Sequence, residues 1–436
     1  MSALILFITV FGALLIGFPV AFTLGGVSMI LGLINFGPEL FNLMPLRIWG
    51  GITNFVLVAV PLFVYMGVML EKSGIAEEML ETMALLFGKI RGGMGISVIL
   101  VGAMLAAATG IVGATVVTMG LLSLPTMVKR GYNIPLSCGI ICAAGTLGQI
   151  IPPSVALVII ASVFNLSIGD IYLGAFIPGF LLVGLYLLYV IIIAIFKGEQ
   201  VPAMPEEDLA KFRSDKMFRR IFFAFLLPMA LIVAVLGSIF AGIASPTESA
   251  AVGAFGATLL ALAKRSLNYK KAMAVMYDTM NLTAMVFTLL IGATAFGLVF
   301  RGMQGDTIIL EFIEKTNMNP TTFLILVNAI IFIAGFFIDY IEISFIVLPI
   351  VGPIFQSMGL DLLWIGVLIG LNFQTSFLTP PFGFSLFYLQ SVAPKEVTIN
   401  HIYRGIVPFI VLQVIAIGIV IYYPQLALWL PKVLSK

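Results

Sequence analysis

Gly145-Thr-Leu-Gly-Gln-Ile-Ile-Pro-Pro-Ser154 and Phe373-Gln-Thr-Ser-Phe-Leu-Thr-Pro-Pro-Phe382 carry the chain's two Pro-Pro pairs. Proline has no amide hydrogen and its ring clashes with the preceding turn, so neither run can continue as an unbroken helix. The pairs lie 228 residues apart, and Pro125 and Pro353 lie at the same offset. Downstream, Ile171-Tyr172-Leu-Gly174 matches Ile402-Tyr403-Arg-Gly405, and Pro178 and Pro408 follow. Landmarks in one order at a nearly constant offset mark an internal repeat.

The sequence around these runs belongs in lipid. Of 436 residues, 61% are hydrophobic and 10% charged, against roughly 25% charged in a soluble domain. So few charges cannot cover a core with polar surface, and the mean hydropathy of +1.17 agrees. The net charge of +2 gives no reason to expect a nucleic-acid partner. Cys138 and Cys142, one helical turn apart in an apolar run, read as reduced packing residues. A single histidine, His401, and the absence of an HExxH motif exclude zinc chemistry.

A helix needs about 20 apolar residues to cross the hydrocarbon layer. Spans are expected near 47–69, 135–163, 172–196, 221–241, 247–263, 273–300, 362–392 and 402–423. Residues 3–34, with Gly17 and Pro19 near the middle, read as one broken span or two short ones. Segment 75–90 is amphipathic and too polar to span; it suits a helix in the interface or one bracing moving parts. Segment 197–220 reads as a solvated connector.

Two further apolar stretches, 93–128 and 319–357, are broken at Thr109–Thr115 and at Asp339-Tyr-Ile-Glu342. Each half is short for a crossing and suits a re-entrant hairpin that turns inside the membrane. With both hairpins returning to the side they enter from, loops 70–92, 129–134, 197–220, 264–272 and 393–404 share one side and hold 17 of the 22 Lys and Arg. Arg47, Arg301, Lys315, Lys432 and Lys436 face the other. The basic side is therefore expected in the cytoplasm and the C-terminus outside.

The expected fold is an all-α polytopic membrane protein of two inverted repeats, each with a hairpin and a Pro-Pro-interrupted helix. That pattern is characteristic of secondary transporters. Unwound carbonyls can hold a bare cation and helix N-termini an anion. The prolines and small residues would equally serve kinks and packing grooves; it is their pairing that points to a site. Asp339 and Glu342 are carboxylates inside an apolar stretch, usually a functional sign. Gln149, Asn372 and Gln374 are polar residues expected to line the same cavity.

Leu124-Pro-Thr126, Gly145–Ser154, Ser245-Pro-Thr-Glu-Ser249, Phe337-Ile-Asp339 and Leu378-Thr-Pro-Pro-Phe-Gly383 resemble the large permease subunit of tripartite ATP-independent periplasmic (TRAP) transporters nearly end to end. The resemblance implies a bacterial inner-membrane protein working with a small four-helix membrane subunit and a periplasmic substrate-binding protein. It implies an elevator mechanism and Na⁺ as the coupling ion, with no other cofactor and a small organic anion, carboxylate or sulfonate, as cargo. One Na⁺ site would use Thr109, Gly110, Gly113, Thr115, Gly145, Gly148, Pro152 and Ser154. The other would use Asp339, Ser344, Thr375, Ser376, Thr379, Pro380 and Gly383. Substrate would lie between them near Thr146, Gln149, Asn372, Gln374 and Glu342. Expected divisions are N-terminal scaffold 1–92, transport half 93–163, scaffold 164–318, transport half 319–392 and C-terminal scaffold 393–436.

Many members of the family read Ser-Gly-Ser at the first tip; Thr109-Gly110-Ile111-Val112-Gly113 lacks the third-position hydroxyl. Glu342 has no counterpart in that pattern. Two Na⁺ moving with a monoanion would supply about 5 kcal/mol, enough for several-thousandfold accumulation without ATP. The rival readings are a stand-alone Na⁺ or H⁺ anion symporter and an intramembrane enzyme, for which Asp339/Glu342 is the one carboxylate pair.

Overall fold

The computed structural model describes residues 2–110, 112–205, 221–381 and 383–434, with the side chains of 2, 15 and 106–109 left aside. These residues are helical, with no strand among them. The first part of the chain forms α1 (Ser2–Ile16), α2 (Val20–Phe36), α3 (Met44–Ile52), α4 (Phe55–Lys72) and α5 (Ile75–Phe87). Next come α6 (Gly93–Thr109), α7 (Val112–Lys129), α8 (Ile134–Thr146), α9 (Val155–Phe164) and α10 (Ile168–Phe196). The middle holds α11 (Leu227–Phe240), α12 (Pro246–Ala263), α13 (Tyr269–Gly302) and α14 (Gly305–Lys315). The last part holds α15 (Pro320–Ala334), α16 (Tyr340–Ile346), α17 (Leu348–Ser357), α18 (Leu362–Leu378), α19 (Phe384–Val392), α20 (Ile399–Tyr422) and α21 (Gln425–Leu434).

Six helices among the described residues are long and apolar enough to cross a bilayer, seven if α16 and α17 count as one bent span. Both Pro-Pro runs break their helices. α8 passes through a 3₁₀ turn at Leu147–Gln149 before α9 starts at Ser154, and α18 stops at Thr379 before α19. Residues 3–34 form two short helices parted at Gly17, whose φ of 97° suits glycine. The span expected over 47–69 is divided at Thr53, because the Asn54 side chain accepts the Val56 N–H and starts α4 afresh. In the second half α16 and α17 meet at 54°, a break the sequence reading did not anticipate. Pro349, without a donor N–H, stands in the first turn of α17. The apolar face of α5 is buried against α6, so this helix braces protein. Of the connector, 206–220 lies outside the described residues, while Gln200 and Val201 accept from Asn133 N–H and Gly92 N–H.

Packing departs from divisions placed at 164 and 393. α20 lies directly on α8, where a β-carbon on Gly139 would fall on the Gly405 carbonyl and one on Gly405 on the Pro135 carbonyl. α10 packs on α9, α18, α20 and α21, and the Trp364 indole of α18 donates to the Val420 carbonyl at 2.9 Å. α20 thus meets the interrupted helices at backbone distance, and α10 packs against the same group through its side chains. A second group, α1–α4 and α11–α13, packs within itself and meets the first where α4 faces α6 and α9, where α13 faces α16, and where α11 touches α6 and α10.

The crossing yields a direct test. Gly405→Ala should cost about 1–3 kcal/mol through overpacking against backbone, lowering the detergent melting temperature. Gly418→Ala, on the same helix with nothing within 4 Å of its β-carbon, should leave it unchanged.

Candidate functional site

Tips and breaks are placed by residues that allow close approach. Gly110, the turn residue between α6 and α7, has φ +60°, and its β-carbon would lie 3.1 Å from the Val155 side chain and 3.2 Å from the Val155 nitrogen. The first tip therefore sits on the first break. Gly145 of α8 is pressed against Val116 of α7, one residue beyond Thr115. In the second half Gly335, which precedes the Asp339 turn, admits Ser376 of α18. Gly113 brings α7 against the ring of Tyr388 in α19, 3.0 Å from where a β-carbon would stand. First tip and second break are thereby neighbours as well.

Between them is a cavity of about 210 Å³. Val112, Gly113, Val155, Asp339, Tyr340 and Tyr388 line it from the tips and breaks, and Val64 of α4 with Leu282, Met285 and Val286 of α13 forms the facing wall. Asp339 is the one ionisable carboxylate in this lining, and no basic residue lines it. The Tyr340 ring packs 5.8 Å from Phe377 and 6.0 Å from Phe373, fixing an aromatic wall.

Of the residues expected at the site, Gly113 and Asp339 line this cavity. The Thr109 side chain lies outside the described residues. The hydroxyls cluster around the breaks, each donating within its own segment. Thr146 donates to Ala143 O (2.9 Å), Ser154 to Gln149 O (2.9 Å) and Ser344 to Tyr340 O (2.7 Å). Thr375 donates to Leu371 O (3.3 Å), Ser376 to Phe373 O (2.9 Å) and Thr379 to Thr375 O (2.6 Å). Their lone pairs stay available to a cation. Gly148 lies in the buried 3₁₀ turn, Pro380 is half-buried, and Pro152 lines a separate apolar cavity towards Phe176 and Phe180.

Three polar residues expected in the cavity are elsewhere. The Asn372 amide donates to Asn328 O at 2.7 Å and so ties α18 to α15. Gln149 and Gln374 are fully buried, and no amide atom of either has a protein partner. Buried amides left this way carry a desolvation cost and call for a ligand, ion or water. Glu342 acquires a role: its carboxylate accepts the Asp339 N–H at 3.0 Å while Asp339 accepts the Ile341 N–H, a capping box that starts α16. It is not among the residues lining the 210 Å³ cavity.

The sequence reading missed Tyr388 and the α13 wall. It also missed two clasps. The Tyr172 hydroxyl donates to Ser154 O (3.4 Å) and the Tyr403 hydroxyl to Pro381 O (3.3 Å). These tyrosines are the repeat-matched pair, and each reaches a carbonyl beside its own break; that of Ser154 also accepts the Val158 N–H. Ser385 Oγ also reaches back across the second break to Phe377 O at 2.7 Å.

The family description "Tripartite ATP-independent periplasmic transporter, DctM component" matches residues 7–426. The chain belongs to the TRAP large-permease family. A C4-dicarboxylate TRAP large permease of Vibrio cholerae is 30% identical, with 100% of this chain and 98% of that one covered. An ectoine TRAP large permease of Halomonas elongata is 30% identical over 97% of both chains, and a sialic acid TRAP large permease of Vibrio cholerae is 30% identical over 97% and 96%. The Alcanivorax borkumensis YdaH transporter has the same overall fold, with a TM-score of 0.62 at 13% identity over 94% and 97% of the two chains. TRAP large permeases are multi-pass transporter subunits, not enzymes, and work with a substrate-binding protein and a small membrane subunit.

Filling the cavity tests its part in TRAP transport. Gly113→Leu, whose side chain must displace the Tyr388 ring to enter the cavity, should abolish uptake in the reconstituted transporter while costing about 1–3 kcal/mol of stability in the detergent melting curve. Loss of folding together with uptake would instead make Gly113 a packing residue.

Proposed function

We propose that this TRAP permease drives Na⁺-coupled uptake of a small organic anion, a carboxylate or a sulfonate, handed over by a periplasmic substrate-binding protein. The observation that carries the reading is the meeting of both tips and both breaks at one cavity. Two interrupted helices placed there bring unwound carbonyls, hydroxyl oxygens and the partial positive charge of the α9 and α19 N-termini to one small volume. Na⁺ is held by oxygen ligands, which hydroxyls already donating into their own helices can supply. The unpartnered amides of Gln149 and Gln374 give further support. Relatives named for C4-dicarboxylate and sialic acid favour a carboxylate cargo.

In this reading α6/α7 and α15–α17 are re-entrant hairpins of two inverted repeats. The basic loops face the cytoplasm and the C-terminus faces outward. The group containing the breaks, with α10 and α20, rises and falls as an elevator along α4 and α13. Asn54 Nδ2 donating to Ser162 Oγ (3.1 Å) and Thr118 Oγ1 donating to Glu71 Oε1 (3.4 Å) cross that boundary and mark one stop of the movement.

The experiment is uptake into proteoliposomes holding this chain and its small subunit. An external Na⁺ gradient and the binding protein are each supplied or withheld. Uptake requiring both is expected; indifference to Na⁺ would sink the coupling, and indifference to the binding protein would sink the tripartite reading. Thr379→Ala and Ser154→Ala should each raise the Na⁺ concentration for half-maximal uptake about tenfold, the loss of one charge-assisted contact.

A further inference from the structure

A second cavity, of about 310 Å³, lies beside the first. Its polar lining includes Arg47 of α3, Asn54, Ser162 of α9, Thr294 and Arg301 of α13, and Phe345 of α16 forms part of the opposite wall. No acidic residue lines it. Among the described residues neither guanidinium has an ion pair or a hydrogen-bond acceptor, and both residues are exposed. Arg301 stands in the last turn of α13, where a positive charge suits the helix end. That account does not reach Arg47, which lies in the middle of α3. Anchoring to lipid headgroups would also not require both side chains to open into one protein cavity. Two like charges sharing a small volume repel, and an anion between them relieves that repulsion.

The two cavities share elements. α16 contributes Tyr340 to the first and Phe345 to the second. On α13, Leu282 and Val286 of the first cavity continue through Leu290, Ala293 and Gly297 to Arg301 of the second. Steps of three and four residues keep these on one helix face. At roughly 1.5 Å per residue, Val286 and Ala293 are about 10 Å apart along the axis. The small residues Ala293 and Gly297 leave room along the stripe. A basic mouth and the tip cavity are therefore joined by one face of a helix outside the group that carries the breaks.

We propose that Arg47 and Arg301 form a capture site for a small carboxylate anion, separate from the hairpin-tip cavity and feeding it along α13. Guanidiniums pair with carboxylates through two parallel N–H donors. An unpaired couple accepts either both ends of a dicarboxylate or one carboxylate held from two sides. The transport reading above is needed only for the step that follows capture.

The test uses the purified chain with its small subunit in detergent. Arg47→Cys and Arg301→Cys are each treated with a negatively and a positively charged thiosulfonate; native Cys138 and Cys142 are buried. With the other arginine present, the anionic reagent should react about tenfold faster than the cationic one. Arg47→Cys combined with Arg301→Gln should lose that preference. Succinate should slow labelling severalfold. Equal rates for the two reagents would overturn the site, as would a charge preference that succinate leaves untouched. Protection by the binding protein but not by succinate would overturn it too, making this face a protein-docking surface. If wild-type proteoliposomes show no Na⁺- and binding-protein-dependent uptake across a panel of carboxylates and sulfonates while charge preference and protection persist, the transport reading fails and the capture site stands.

Discussion

Lipid offers no hydrogen bonds, so peptide groups released by a broken helix must find partners within the chain or in a polar cavity. Pro152-Pro153 and Pro380-Pro381 release such groups twice, and much of the surrounding structure answers that demand. Ser154 and Ser385 reach back over the breaks to Gln149 and Phe377. Tyr172 and Tyr403 close on carbonyls at the breaks from α10 and α20. Those two tyrosines tie α10 and α20 to the breaks, and the bare backbone at Gly139 and Gly405 brings α20 against α8. Among the groups that remain unpartnered, the Gln149 and Gln374 amides lie on the helices that the breaks interrupt, where a cation or a polar cargo would be welcome.

How much of this could be read in advance depended on whether a residue's chemistry was unusual for its surroundings. Proline pairs in apolar runs are unusual, and the interruptions of α8/α9 and α18/α19 stand where they predict. Gly110 and Asp339 were legible as turning points for the same reason. The α13 wall was not: Leu282, Met285 and Val286 look like any lipid-facing residues, and only the packing reveals what they border. Gln149, Asn372 and Gln374 show the opposite difficulty, since none of them lines the 210 Å³ cavity. A polar residue in an apolar helix does point inward, but sequence cannot tell a cavity from a neighbouring helix, and Asn372 is spent on α15.

For Glu342 and Arg47, charge drew the reading away from their place in the fold. Asp339-x-x-Glu342 has the spacing of a helix-capping box, a legible signal passed over because carboxylates in a membrane segment suggest chemistry first. Arg47 counted only towards orientation, since nothing in the sequence places it next to a residue 254 positions later. Long-range convergence of this kind is fixed by tertiary packing alone.

The contact of Gly139 with Gly405 also has a consequence in time. Synthesis proceeds at about 5–20 residues per second, so the partner of the α8 groove emerges roughly a quarter of a minute to a minute after the groove itself. Throughout that interval the first half of the protein sits in the bilayer with a glycine-lined seam facing lipid or a passing helix. The last long helix to be made acts as a keystone, and the nascent half-protein is most open to wrong partners just before it arrives.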